Sequence, residues 1–74
     1  MKNLKIISEI LEENKKNIKK EDKLNQYNWD SMAKINLITL INEKYKKNIN
    51  IQKLKSLKNI DDLDKLIENT IKKK

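Results

Sequence analysis

The chain contains neither glycine nor proline, and this absence limits the folds open to it more than any other feature. Glycine supplies the positive backbone φ angles that tight β-hairpin turns need, so each turn here must use asparagine, aspartate or lysine at some energetic cost. An architecture of short strands joined by glycine turns is therefore disfavoured. We expect an all-α fold.

The length of 74 residues allows a single domain, residues 1–74, with a thin hydrophobic core. Histidine and cysteine are both absent. Their absence removes disulfides, thiolate nucleophiles, zinc sites and the usual general base near neutral pH, so we do not expect an enzyme.

The N-terminus has no apolar signal-peptide segment. The longest nearly continuous apolar stretch, Leu37 to Ile41, is far shorter than the roughly 20 residues that span a bilayer. These features predict a cytoplasmic protein that does not insert into membranes.

The formal net charge is +7, and all 18 basic residues are lysines. The absence of arginine, together with an aromatic content of 4%, argues against a nucleic-acid partner. Abundant lysine, asparagine and isoleucine also follow from an AT-rich genome. Two interpretations stay open: compositional drift with solvated helix faces, or a functional basic surface.

Apolar residues at spacings of three and four predict a first helix from about Lys2 to Asn14 and a central helix from Ser31 to about Lys46. The segment between them, Lys15 to Asn28, lacks this period and predicts a long loop pinned by a few apolar side chains. Asn48 is a candidate left-handed residue after the central helix.

Ile49 and Ile51 alternate with polar residues, which predicts an extended link with both side chains in the core. A short helix is expected from Gln52 to Leu57. Asn59 can cap a last helix, with Asp62 as the reciprocal capping residue, and a basic tail over residues 72–74 suits its C-terminus.

The stretch Trp29-Asp30-Ser31-Met32 stands where the polar loop gives way to the central helix. Asp30 is a favoured N-cap residue, so the Ser31 hydroxyl is predicted to lie at a helix N-terminus. Trp29 precedes the cap, where a hydrophobic residue often packs on the first helical turn.

The chain resembles the acyl and peptidyl carrier proteins, whose hallmark is Asp-Ser-Leu at the start of the second of four helices; here Asp30-Ser31-Met32 stands at that place. The resemblance runs without a gap from Asp30 to about Ile67. It predicts a four-helix, acyl-carrier-like bundle with three longer helices, one short helix and a long first loop. The aliphatic and aromatic positions that match the family are Ile35, Leu37, Ile38, Ile41, Tyr45, Ile49, Leu57, Ile60, Leu63 and Ile67.

The resemblance implies that a phosphopantetheinyl transferase attaches 4'-phosphopantetheine to Ser31, and that Asp30 helps to orient this enzyme. An acyl or aminoacyl group would then be carried as a thioester between a loading enzyme and a downstream transferase. Met32 matches the family's partner-contacting leucine, and we expect further partner contacts nearby. The residues assigned to these contacts are Trp29, Met32, Ala33 and Asn36.

The chain departs from typical fatty-acid carriers because its second helix lacks most of their acidic residues. A Trp-Asp-Ser start resembles carriers of specialised pathways, such as surface-glycan or secondary-metabolite clusters. We expect a monomer. We expect no metal site, because the acidic residues within 61–68 fit the first turns of a helix better than a calcium loop. Three alternatives are a simple helix cap at Ser31, an unmodified basic helical module that binds an anionic partner, and a degenerate carrier retained for protein contacts.

Overall fold

The computed structural model describes residues 1–72, and this part of the chain is all-α, without strands. Lys73 and Lys74, the end of the predicted basic tail, lie outside the described residues. The prediction of three longer helices, one short helix and a long first loop is confirmed. The helices are α1 (Leu4–Leu11), α2 (Ser31–Tyr45), α3 (Ile51–Lys55) and α4 (Ile60–Lys72), and the loop contains 3₁₀ turns at Lys15–Asn17 and Leu24–Gln26.

Helix α1 is shorter than the predicted Lys2 to Asn14, because a left-handed residue ends it early. Glu12 adopts φ 53° and ψ 43°, and its N–H donates to the Glu9 carbonyl. The Glu13 N–H donates to the Ser8 carbonyl at 3.1 Å. This pair of bonds is a Schellman-type cap, here built without the glycine that usually occupies its left-handed position.

Helix α2 also ends on a left-handed residue, but this residue is Lys46 (φ 56°, ψ 36°) and not the predicted Asn48. The Lys46 N–H donates to the Asn42 carbonyl at 3.0 Å. Asn48 has a different role: its side-chain oxygen accepts a hydrogen bond from the Asn42 amide at 2.9 Å. The link after α2 is thereby tied to the helix.

The core is one cluster of aliphatic side chains drawn from all four helices and the first loop. Ile18 and Leu24 contribute from the loop, as predicted, and are 5% and 2% exposed. The side chains with no exposed surface are Ile7, Leu37, Ile41, Ile60, Leu63 and Ile67.

Three positions predicted to be in the core lie at the surface. Ile35 and Ile51 are each 55% exposed, and Tyr45 is 37% exposed. Ile35 precedes the buried Leu37 by two residues, about 200° around a helix, so it faces away from the core. Ile51 begins α3 instead of continuing the extended link, because the Asn50 side chain caps the helix there by accepting from the Lys53 N–H at 3.2 Å.

The long first loop is fastened to the connection between α3 and α4 by backbone hydrogen bonds. The Leu24 N–H donates to the Lys58 carbonyl at 3.0 Å, next to an antiparallel bridge between Lys23 and Asn59. The loop in turn accepts from the start of α4, where the N–H of Ile60 donates to the Asp22 carbonyl at 2.9 Å. The loop therefore satisfies donors that the first turn of α4 would otherwise leave unpaired.

Asn59 caps α4 as predicted: its side-chain oxygen accepts from the Asp62 N–H at 2.8 Å. The reciprocal bond differs from a capping box, because the Asp62 carboxylate accepts from the Lys58 N–H and not from that of Asn59.

A buried polar contact that no sequence pattern predicted joins the start of α1 to α4. The Asp64 carboxylate accepts from the Asn3 backbone N–H at 2.9 Å. The Asn3 side-chain amide donates to the Asp64 carbonyl at 3.3 Å and to the Glu68 carboxylate at 3.2 Å. Asn3 and Asp64 are only 7% and 9% exposed, so water has little access to their polar groups. The hydrogen bonds between them satisfy these buried groups instead.

Candidate attachment site at the start of the second helix

Asp30 sets the start of α2 by capping it. Its backbone is extended, and its side-chain oxygen accepts from the Ala33 N–H at 2.9 Å. Its carbonyl accepts the first bond of the helix, from the Lys34 N–H at 3.1 Å. The predicted cap and the predicted start of the helix at Ser31 are both confirmed.

The Ser31 side chain is exposed, and its hydroxyl is free of protein partners within residues 1–72. The chain's other serines behave differently. The Ser8 hydroxyl donates to the Lys5 carbonyl at 2.9 Å, and the Ser56 hydroxyl donates to the Lys53 carbonyl at 3.0 Å. Ser31 is thus the serine that is exposed and whose hydroxyl makes no hydrogen bond within residues 1–72.

The first amides of α2 are also open. Asp30 occupies the N–H of Ala33, whereas no acceptor in the described part of the chain binds the N–H groups of Ser31 and Met32. Free amides at a helix start carry partial positive charge along the helix dipole. The surroundings of the Ser31 oxygen are therefore suited to an anionic group.

Trp29 joins the site to the first loop. It is half-buried, and the Lys34 ammonium lies 5.8 Å from the centroid of its ring. The two residues occupy the positions before and after the cap at which a hydrophobic staple forms, and here a cation–π contact takes the place of an apolar one. Trp29 packs against the hydrophobic core cluster and lines a pocket of about 550 Å³ with Leu24 and Leu57.

The predicted partner-contact residues have unequal exposure. Met32 is 62% exposed and Asn36 is exposed, so both are accessible beside Ser31. Ala33 is only 4% exposed, and the prediction that it lies on the accessible surface is wrong. Ala33 precedes the fully buried Leu37 by four residues and therefore lies on the core side of α2.

Ile35 and Lys34 also belong to the site surface, although neither was among the residues predicted to contact partners. Ile35 was placed in the core by its family position, yet it lies three residues after Met32 on the same exposed side of α2. Its offset of two from Leu37 was the available signal. For Lys34, the signal was its place four residues after the cap, opposite Trp29.

The loop that leads to Trp29 is held by a tyrosine–carboxylate contact. The Tyr27 hydroxyl donates to the Asp22 carboxylate and lies 2.9 Å from the Asn17 carbonyl oxygen. Burial and the bond to Asp22 raise the pKa of Tyr27 to about 12. The bond from Tyr27, followed by the Lys19 N–H, lowers the pKa of Asp22 below its usual value.

Together these features define a small all-α domain that presents one free serine hydroxyl at the capped start of its longest helix. Comparison of the chain with protein-family models, with curated proteins and with solved structures found no match. In residues 1–72 no group of three or more acidic side chains could hold a metal ion, and none of the helices is long and apolar enough to cross a bilayer.

Proposed function

We propose that the chain is a carrier domain that holds an acyl or aminoacyl intermediate on a 4'-phosphopantetheine arm attached to Ser31. The observation that carries this proposal is the free, exposed Ser31 hydroxyl at the first residue of the second of four helices, directly after the Asp30 cap. The residue order Asp30-Ser31-Met32 resembles the attachment motif of acyl and peptidyl carrier proteins.

The residues around Ser31 fit a phosphodiester. The open N–H groups of Ser31 and Met32 can donate to phosphate oxygens, and the helix dipole favours negative charge at this end. Asp30 keeps its carboxylate engaged with the Ala33 N–H, which fixes the helix start that presents the serine. The chain has no thiol of its own, and the bound arm would supply the thiol that carries the acyl group as a thioester.

In the proposed modification, the Ser31 oxygen attacks the pantetheine-side phosphorus of coenzyme A. An O–P bond forms, the P–O bond of the diphosphate bridge breaks, and adenosine 3',5'-bisphosphate leaves. The hydroxyl proton passes to a base on the phosphopantetheinyl transferase, because the chain has no histidine. The chain contributes an exposed oxygen and donors for the new phosphodiester.

The other partners of the proposed carrier are a loading enzyme and a downstream acyl or aminoacyl transferase. In this proposal the chain is a cytoplasmic monomer. Its pathway is a specialised biosynthetic one, because α2 lacks most of the acidic residues that partners of fatty-acid carriers read. Met32 and Asn36 meet these partners beside the arm, and Trp29 supports the site from the loop side.

Incubation with coenzyme A and a broad-specificity phosphopantetheinyl transferase, followed by intact-mass analysis, tests the proposal. We expect the wild-type chain to gain the mass of one phosphopantetheine group. Ser31→Ala should gain none, whereas Ser56→Ala, which removes another exposed serine, should gain as much as wild type. No gain by the wild type, or a gain that survives Ser31→Ala, would contradict the proposal.

A second candidate, an unmodified basic module, is favoured by the net charge of +7. Binding to nucleic acid at low salt, weakening steeply as salt is added, would support this candidate. Its absence at low salt would leave the lysines as solvated surface or as a docking surface for protein.

A further inference from the structure

The charge of the chain is concentrated in residues 31–58, which run from the start of α2 to the end of the link after α3. This segment holds seven lysines against one glutamate, a net charge of +6, while the rest of the chain holds eleven lysines against ten acidic residues. Lysine is about equally frequent in both parts. Compositional drift towards lysine explains an even distribution of lysine along the chain, but it does not explain why one segment has so few acidic residues. The low number of acidic residues in 31–58 is therefore the informative feature.

The same segment exposes most of the large apolar side chains at the surface. Met32 and Ile35 are 62% and 55% exposed and adjoin on the side of α2 next to Ser31. Tyr45 and Ile51 are also exposed in the segment, and within residues 1–72 Met1 is the exposed large hydrophobic residue outside it. We call the exposed residues of 31–58 the α2–α3 surface. Apolar exposure and loss of acids therefore coincide in this segment of the chain.

An enzyme that acts at Ser31 covers the part of this surface around the start of α2. A standard protein interface covers about 800 Å² on each partner, equivalent to a disc about 32 Å across. Helix α2 has 15 residues and is roughly 22 Å long. The whole molecule measures 31 × 22 × 17 Å, so a footprint of this size centred near Ser31 extends along much of α2.

We propose that the α2–α3 surface docks enzymes whose complementary surface is apolar at its centre, opposite Met32 and Ile35, and rich in aspartate and glutamate around it. Complementary charge speeds encounter and suppresses wrong partners, whereas the apolar centre supplies affinity. The partner that we propose for this surface is the phosphopantetheinyl transferase that must reach Ser31. The inference rests on the proposed function and adds the chemistry of the partner, whose charge is opposite in sign to that of the basic partners of acidic carriers.

The test measures kcat and KM for modification of the chain by the host's phosphopantetheinyl transferase at low and high ionic strength. The α2–α3 variant replaces exposed Lys44, Lys53 and Lys55 by glutamine. We expect kcat/KM to fall roughly tenfold at low salt, mainly through KM, and the difference to shrink at high salt as the charges are screened.

A matched control replaces three exposed lysines outside the surface, Lys5, Lys15 and Lys16, and so changes the net charge equally. Its kcat/KM should stay within twofold of wild type. Ile35→Gln tests the apolar centre without touching the core, and we expect it to raise KM several-fold with an unchanged thermal midpoint.

Equal effects of the two lysine variants, or a salt-independent KM, would overturn the inference while Ser31 is still modified. Failure of the wild-type chain to be modified at all would contradict the proposed function itself and the inference with it. Cosedimentation with phosphatidylglycerol vesicles separates a lipid surface from a protein partner. Vesicle binding lost in the α2–α3 variant, with its kcat/KM unchanged, would assign the surface to anionic lipid and overturn the inference.

Discussion

Replacement of Asp30 separates its structural role from its role in modification. Asp30→Ala removes the acceptor of the Ala33 N–H at 2.9 Å and the negative charge at the start of α2. Loss of an N-cap costs about 1 kcal/mol, and loss of a favourable charge at a helix N-terminus costs about 0.3–1 kcal/mol. We therefore expect Asp30→Ala to lower the free energy of unfolding by about 1–2 kcal/mol.

The expected fall in the thermal midpoint follows from the size of the chain. For a domain of this length, 1 kcal/mol shifts the midpoint by roughly 4–8 °C, so Asp30→Ala should melt about 4–16 °C below wild type. Asp30→Asn keeps a capping oxygen and loses only the charge, which predicts a loss of about 0.3–1 kcal/mol. Thermal denaturation followed by circular dichroism measures both variants.

Modification of the same variants measures the second role. If Asp30 also orients the transferase through its charge, Asp30→Asn should be modified much more slowly than wild type although it is nearly as stable. Equal midpoints for wild type and Asp30→Ala would refute the capping argument. Full modification rates in Asp30→Asn would confine Asp30 to a structural role.

Three further predictions concern the scaffold. Asp64→Ala leaves the buried Asn3 N–H without its acceptor. Because a hydrogen bond to a charged group contributes about 1.5–3 kcal/mol, we expect the free energy of unfolding, measured by chemical denaturation, to fall by about 2 kcal/mol. A fall below about 0.5 kcal/mol would contradict the buried contact. Lys46→Gly relieves the strain of a left-handed backbone and should stabilise the fold by about 1 kcal/mol. Lys44→Gly lies inside the last turn of α2 and should destabilise the fold by about 1 kcal/mol. Changes of the same sign for both variants would refute the assigned end of α2. The pKa of Tyr27 is raised to about 12 in the folded chain, so the contribution of its protonated hydroxyl to stability is present below pH 10 and is lost as the pH rises through 12. In urea titrations, Tyr27→Phe should therefore lose less stability than wild type between pH 10 and 12. Parallel losses would contradict the hydrogen bond of Tyr27.

The features that sequence predicts well are the ones with a local physical cause. The caps at Asp30 and Asn59 each depend on one side chain and an amide three residues later, so the start of α2 and the cap of α4 follow from short motifs. The free Ser31 hydroxyl follows from the same local geometry.

The features that sequence predicts poorly depend on which elements cover a position. Helix α2 has apolar residues on several sides, and its periodicity alone could not tell that Ile35 faces outward and Ala33 inward. Without glycine, the left-handed ends at Glu12 and Lys46 carry no residue signal. Backbone bonds between the first loop and the start of α4 leave no trace in residue type.

The most direct test of the carrier proposal is the mass of the protein purified from its own host, analysed intact and after digestion. We expect the peptide containing Ser31 to carry a phosphopantetheine group, alone or with an acyl or aminoacyl cargo, and the peptides containing Ser8 and Ser56 to be unmodified. A chain that is unmodified in the host although a transferase modifies it in vitro would indicate a degenerate carrier retained for protein contacts. A chain unmodified under both conditions would contradict attachment at Ser31 altogether.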